Sequence, residues 1–310
     1  MNYVELSEAI QAYSENTETL FVQNIPRFVI EAEQRIYNTV QLPSLRRNVT
    51  GTMTVNNKYV SLPDDWLSAY SLAVIDNTTG EYLYLLNKDV NYMREAYPIP
   101  TQTGKPKYYA LFGSQYSNTN ELSLIVAPTP DANYGMELHY FYYPVSIVQG
   151  VITQLGTITG GTAYNNGTYF NVELTGGSGA TGTPATATIV VSAGSVTSVT
   201  LTNGGSLYAV GDVLSANNTD IGGSGSGFSI PVTLVNNAAG RSWLGDNYDP
   251  VLFYGAMREA VVFMKGEQDM VTYYEKMFQE AMGELKRLGD GLERGDAYRE
   301  HQTKLKYDGL

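Results

Sequence analysis

Two apolar stripes run back to back between Asp246 and Leu288, and nothing adjacent to them in the sequence can bury both. The segment DNYDPVLFYGAMREAVVFMKGEQDMVTYYEKMFQEAMGELKRL reads as two consecutive helices. Asp249-Pro250 supplies an N-cap acid and a proline at the first helical position, where a missing N–H costs nothing. Phe253, Met257, Ala260 and Met264 recur at three- and four-residue steps, widened by Leu252, Ala256 and Phe263. Gly266 is expected to close the first helix, and Glu267 to Asp269 place negative charge at the start of the second. There Met270, Tyr274, Met277, Phe278, Ala281, Leu285 and Leu288 hold one face, with Gly289 as the expected stop. The matching stripes lie at the opposite end of the chain. Asn2 and Glu5 resemble a capping box ahead of Leu6, Ala9, Ile10 and Tyr13. Phe28, Val29, Ala32, Ile36 and Val40 follow Pro26, where an interruption or kink is expected, and Leu42-Pro43 ends that stripe. The two ends therefore predict one discontinuous bundle of about four helices.

Between the ends the period changes to two. Val49, Gly51, Met53 and Val55 alternate with polar residues, and Tyr59 to Leu62 is expected to return as their hairpin partner across Asn56-Asn57. Further strands are expected at Tyr70 to Ile75, Tyr82 to Leu86, Lys107 to Phe112, Leu122 to Val126 and Met136 to Tyr143. Asp89 to Tyr97 reads as a short helix. The whole is an α+β fold in which a mainly antiparallel sheet accompanies the helical bundle.

At Gln149 the composition breaks. From there to Ala239 the chain has no Lys or Arg and is dense in Gly, Thr, Ser and Val. Its halves match with a period of about 44 residues: Gly160-Gly161-Thr162-Ala163-Tyr164 against Gly204-Gly205-Ser206-Leu207-Tyr208, and Gly176-Gly177-Ser178-Gly179 against Gly222-Gly223-Ser224-Gly225. A linker does not hold tyrosines and glycines in register over that distance, so an inserted all-β domain of two repeats is expected. The expected divisions are a core of 1–148 and 240–290, an insert of 149–239 and an extended tail of 291–310. The tail, GLERGDAYREHQTKLKYDGL, has too little apolar surface to fold alone and offers Leu292, Tyr298 and Leu305 as docking anchors.

Composition excludes several kinds of chemistry. The 19 Lys and Arg against 31 Asp and Glu give a net charge of -12, with no basic cluster to grip DNA. Zero cysteines remove disulfides, thiolate zinc sites and thiol nucleophiles. The glycine runs lack the Lys-Ser/Thr of a phosphate loop and the aspartates of calcium-binding repeats. Asp64-Asp65 reads as a turn, His139 as a hydrogen-bonded strand residue and His301 as part of the tail. No catalytic, cofactor-binding or metal-ligating set emerges, so an enzyme is not expected. There is no apolar leader and no run of about 18 apolar residues, which points to a soluble chain without a membrane partner.

Several blocks resemble the head-to-tail adaptor proteins of tailed phages, of the type called tail tubular protein A in short-tailed phages. They are ENTETLFVQNIPRFVIEAEQRIYNTVQLPSLRRNVTG, SLPDDWL, LNKDVNYMREAYP with GKPKYYALF, ELHYFYYP, and SWLGDNYDPVLFYGAMREAVVFMKGEQDM. The resemblance implies a virion structural protein, made in the host cytoplasm, that forms a homo-oligomeric ring, commonly a dodecamer. Such a ring sits between the portal protein and the tail nozzle or tail tube, and DNA passes through it during genome ejection without sequence-specific binding. The family pattern joins YFYYP to SWLGDN by a short connection, so the insert is a departure, with tail fibre or capsid as candidate partners. A competing reading takes the insert as a carbohydrate- or receptor-binding module, with Tyr164, Tyr169 and Tyr208 as an exposed contact surface; packing of these rings in a pseudo-twofold core is the favoured alternative. A cell-wall hydrolase is a third reading with no motif behind it.

Overall fold

The computed structural model describes residues 1–99, 101–113 and 122–297. Among these residues it is a mixed α+β structure with six α-helices and three sheets. In chain order the elements begin α1 (Tyr3–Ser14), α2 (Thr19–Thr39), β1 (Arg46–Met53), β2 (Tyr59–Ser61), β3 (Trp66–Ile75), β4 (Tyr82–Tyr84), β5 (Leu86–Asn87) and α3 (Val90–Ala96). Next come β6 (Tyr108–Gly113), β7 (Ser123–Ala127), β8 (Tyr134–Tyr142), β9 (Val151–Leu155), β10 (Thr159–Thr162), β11 (Gly167–Thr175) and β12 (Thr186–Ser192). The last described elements are β13 (Ser195–Asn203), β14 (Val213–Ala216), β15 (Ser226–Asn236), α4 (Trp243–Asn247), α5 (Asp249–Phe263) and α6 (Gln268–Ala297). Contacts divide it into two compact units, 1–40 with 145–288 and 41–144 with 289–310.

In the first unit α1 starts where its capping box predicts. Asn2 Oδ1 accepts from the Glu5 amide at 3.0 Å, and Glu5 Oε2 accepts from the Asn2 amide at 2.9 Å. Leu6 and Ile10 are buried, while Tyr13 is exposed and its ring meets Phe253 edge-on. The expected break at Pro26 does not occur. Helix α2 runs through it, and Phe21, Ile25, Phe28, Val29, Ala32 and Ile36 bury one continuous face. Proline removes one helix bond and crowds the preceding turn, and the packing of that face outweighs both. Helix α5 lies against α2, and at Gly255 there is no room for a side chain: a Cβ there would meet Ala32 Cβ at 2.9 Å and Phe278 of α6 at 3.0 Å. Arg35, Arg258, Glu259 and Glu275 link α2, α5 and α6, with Arg35 Nη2 and Arg258 Nη1 at 2.9 and 2.7 Å from Glu259 Oε1.

Three boundaries differ from the sequence reading. Ser242 caps a short helix, α4, that the sequence pattern did not reveal, and Tyr248 rather than Asp249 is the N-cap of α5. The left-handed residue closing α5 is Lys265, at φ 56, not Gly266. Gly266 is needed for contact instead: its N–H bonds Val261 O at 2.9 Å, and a Cβ would meet Val261 Cγ1 at 2.7 Å. Finally, α6 passes through Gly289 to Ala297. Glycine weakens a helix by about 1 kcal/mol but does not end one that neighbouring residues favour, so residues 291–297 are helical rather than extended. Met270 and Leu288, placed on the apolar face, are exposed.

The β region of this unit has its own buried cluster, including Val172, Leu174, Ile189, Val191, Leu214, Ile230 and Val232. Its sheet order is β10-β15-β14-β11-β12-β13, with β9 also on β15. Two second-half strands, β15 and β14, lie beside two first-half strands, β11 and β12, and each half also places one strand, β10 or β13, at the far edge of the other's pair. Tyr164 lies on Gly225 and accepts from the Phe228 amide at 3.1 Å. Tyr208 lies on Gly179 and accepts from the Ala185 amide at 3.0 Å. A Cβ on either glycine would sit 2.1 or 2.3 Å from the ring it supports, so only glycine fits. These tyrosines are core, and the expectation that Tyr164 and Tyr208 form an exposed contact surface is overturned. Tyr169 is half-buried, its hydroxyl donating to Asn165 O at 2.9 Å.

The second unit holds two four-stranded sheets where one was expected, β1-β8-β3-β4 and β2-β7-β6-β5. Strands β1 and β2 do not pair with each other. Asn56, at φ 60, is pinned through its amide to Pro130 O at 2.9 Å, and Val55 N to Asn133 Oδ1 at 2.9 Å, so the turn hands the chain from one sheet to the other. Met53, Leu72, Val74, Leu124, Val126 and Leu138 form one apolar cluster. The alternate β7 residues Ile125 and Ala127 face the other way, into a second cluster with Ala110 and Met93 of α3. That two-sided burial explains why every residue of β7 is buried.

Candidate assembly interfaces

Three surfaces stand out, each built by a local feature of the sequence. The first is the outer face of sheet β1-β8-β3-β4. Irregular pairing either side of Ala69 leaves Tyr70 between Ala69 and Ser71 in the register, and it stands exposed. The Arg46 guanidinium lies 3.9 Å from the Tyr70 ring centre and 5.0 Å from that of Phe141. Glu137 collects His139 Nε2 at 2.8 Å, Asn48 Nδ2 at 2.7 Å and the Tyr82 hydroxyl. Those bonds, that of His139 first, hold its carboxyl below the usual range. Tyr84 is 70% exposed alongside. On the opposite, core-facing side Asp65 serves as an acceptor, taking bonds from Arg47 Nη1 at 2.5 Å and the Tyr140 hydroxyl at 2.8 Å.

The second surface is one end of the helical unit. Phe263 of α5 touches Phe21 and Phe28 of α2 at ring-centre distances of 6.3 and 5.2 Å, which places the α1–α2 and α5–α6 turns together. Leu20, Val262, Phe263 and Met270 are exposed there, among the exposed acids Glu15, Glu18, Glu267 and Asp269.

The third is the junction from which the β region springs. Glu33 of α2 is 3% exposed, and its Oε1 accepts from the Ile147 amide at 2.8 Å while Ser146 also donates to it. Burial pushes its carboxyl up to about 7 against those two bonds. Asn237 Nδ2 donates to Ser146 O at 2.8 Å and to Arg241 O at 2.9 Å, clasping the outgoing and returning chains. Tyr3 N–H bonds Gly240 O at 2.8 Å, and the Tyr3 hydroxyl pairs with buried Ser206. None of this was visible in the sequence. A lone Glu in an apolar stripe is the one signal that could have found it.

Of the proposed docking anchors, Tyr298 and Leu305 lie outside the described residues, and for Leu292 the description extends only to its helical backbone. Among the described residues no three His, Asp or Glu gather where a metal could be held, and no helix is long and apolar enough to cross a membrane.

These features define a mixed α+β protein whose most distinctive surfaces are broad and aromatic or apolar. Residues 1–154 match the family model described as SU10 adaptor protein. The match makes residues 1–154 similar to an adaptor family. It spans α1, α2 and both sheets of the second unit and ends within β9. No curated protein matches the chain.

Proposed function

We propose that the chain is the subunit of a closed ring, commonly a dodecamer in proteins of the tail tubular protein A type, lying between portal and tail nozzle or tube. The observation that carries this reading is the adaptor-family match to the residues that build the aromatic sheet face and the α1–α2 turn. Tyrosine and arginine on an exposed, partly rigidified face suit a permanent protein contact. The net charge of -12 suits a conduit, since an acidic wall offers DNA no counterion release that would hold it. On this reading the chain is not an enzyme and uses no cofactor. The region 149–239 acts as a separable two-repeat domain directed at fibre or capsid, and residues after Gly289 dock on a neighbour. The carbohydrate-binding alternative loses Tyr164 and Tyr208, which are buried. Mixing the purified chain with the portal protein of the same phage tests the proposal. Co-sedimentation as one defined complex is expected; a chain that remains monomeric and unbound at micromolar concentration contradicts it.

A further inference from the structure

The face of sheet β2-β7-β6-β5 that carries α3 is unlike the rest of this acidic molecule. Met93 plugs its centre against Ala110, Ile125 and Ala127. Around that plug stand cations over aromatic rings. Lys58 Nζ is 5.5 Å from the Tyr59 ring centre, the Arg94 guanidinium 5.9 Å from that of Phe112, and Lys88 Nζ 5.3 Å from that of Tyr92. The rings are coupled in turn, Tyr59 to Phe112 at 5.4 Å and Tyr92 to Tyr108 at 5.6 Å. Several cations elsewhere are committed: Lys105 to Asp76, Arg47 to Asp65, Arg258 and Arg35 to Glu259. Among the described residues, Lys58, Lys88 and Arg94 have no carboxylate partner. The acids beside them are Asp89, occupied in capping Asn91 N, and Glu95. Between Lys58 and Arg94 a shallow depression is lined by Met93, Tyr97, Ile99 and Ala127.

The opposite chemistry is found at the turn end of the helical unit. Residues 1–40 and 145–288 together carry 8 Lys and Arg against 17 Asp and Glu. Glu15, Glu18, Glu267 and Asp269 have no cation partner among the described residues. Leu20, Phe263 and Met270 project from the same end.

We propose that the α3 face of one copy seats the acidic turn end of the next copy, with Leu20 or Phe263 filling the depression between Lys58 and Arg94. This rests on the ring reading and says which surfaces close the ring. The two surfaces differ in kind, so the contact is heterologous, and a heterologous contact repeated around an axis makes a ring rather than a pair. Charge complementarity selects the register, and cations already fixed over rings lose little freedom on docking.

A charge swap tests it on the full-length chain. One variant, Lys58→Glu with Lys88→Glu and Arg94→Glu, makes the α3 face acidic. A second, Glu18→Lys with Glu267→Lys and Asp269→Lys, makes the turn end basic. If circular dichroism shows the second variant has lost helix, Glu15→Lys with Glu18→Lys replaces it. Each variant alone is expected to need about 100-fold more protein to assemble, by mass photometry, because like charges then face each other. A one-to-one mixture should assemble as wild type does, since alternating copies restore attraction at every contact. Folded variants that assemble alone as wild type does, or a mixture that stays monomeric, overturn this contact while leaving the ring reading intact. Wild type that never assembles overturns both. If the first variant assembles normally but loses binding to a duplex DNA probe, the face belongs to nucleic acid and the proposal falls.

Discussion

Tyrosine is used in opposite ways by the two β regions. In the region from β9 to β15, Tyr164 and Tyr208 are buried on Gly225 and Gly179, and their hydroxyls accept from the Phe228 and Ala185 amides. On the outer face of β1-β8-β3-β4, Tyr70, Tyr82 and Tyr84 point to solvent, steadied by Arg46 and Glu137. The deciding factor is what sits beneath the ring. In the insert the two buried rings rest on backbone without a Cβ, and the glycine runs supply both seats. The outer face of β1-β8-β3-β4 supplies charged partners instead, which leave the ring at the surface with its contact area available.

The largest effect expected from this contrast is on the seats. Gly225→Val or Gly179→Val should cost more than about 3 kcal/mol by urea unfolding, since overpacking and ring displacement add together. A loss below about 0.5 kcal/mol would mean the ring has somewhere else to go. The junction should give an effect of similar order with a pH signature. Glu33 titrates near its ordinary 4.5 when unfolded and near about 7 when folded, so the native state holds the extra proton between those values. Its contribution is fully present below pH 4.5 and is lost as pH rises through about 7, by at most about 3 kcal/mol. Comparing unfolding midpoints from pH 4 to 8, Glu33→Gln should flatten that part of the slope; parallel curves would remove Glu33 from the account. Tyr208→Phe should cost about 1–2 kcal/mol by leaving the Ala185 amide unpaired, again by urea unfolding. Tyr84→Ser, the smallest, should stay within about 0.5 kcal/mol of wild type in stability while weakening capture by the portal protein.

How legible each region was follows from the same physics. The capping box at Asn2 and Glu5, the stripe of α2 and the apolar face of α5 could be read because they repeat locally along one helix. The internal match of the insert was visible in its glycines, yet which tyrosine rests on which glycine was not. Tyr164 meets Gly225, and Tyr208 meets Gly179, across separations no local pattern spans. The exchange of β1 and β2 between sheets depends on bonds from Val55 and Asn56 to the 130–133 loop, so the apparent hairpin misled. Helix α6 outran Gly289 because a single glycine is a weak stop. Glu33 gave no periodic signal, being one polar residue among apolar ones whose partners, Ser146 and Ile147, lie more than a hundred positions away.

Electron microscopy of the full-length chain, alone and with its portal protein, measures the central claim directly. The account predicts closed rings of one size with cyclic symmetry, each subunit contacting two neighbours through unlike surfaces, and the 149–239 density away from the central opening. Monomers under both conditions, open filaments, or dimers joined through like surfaces would contradict it.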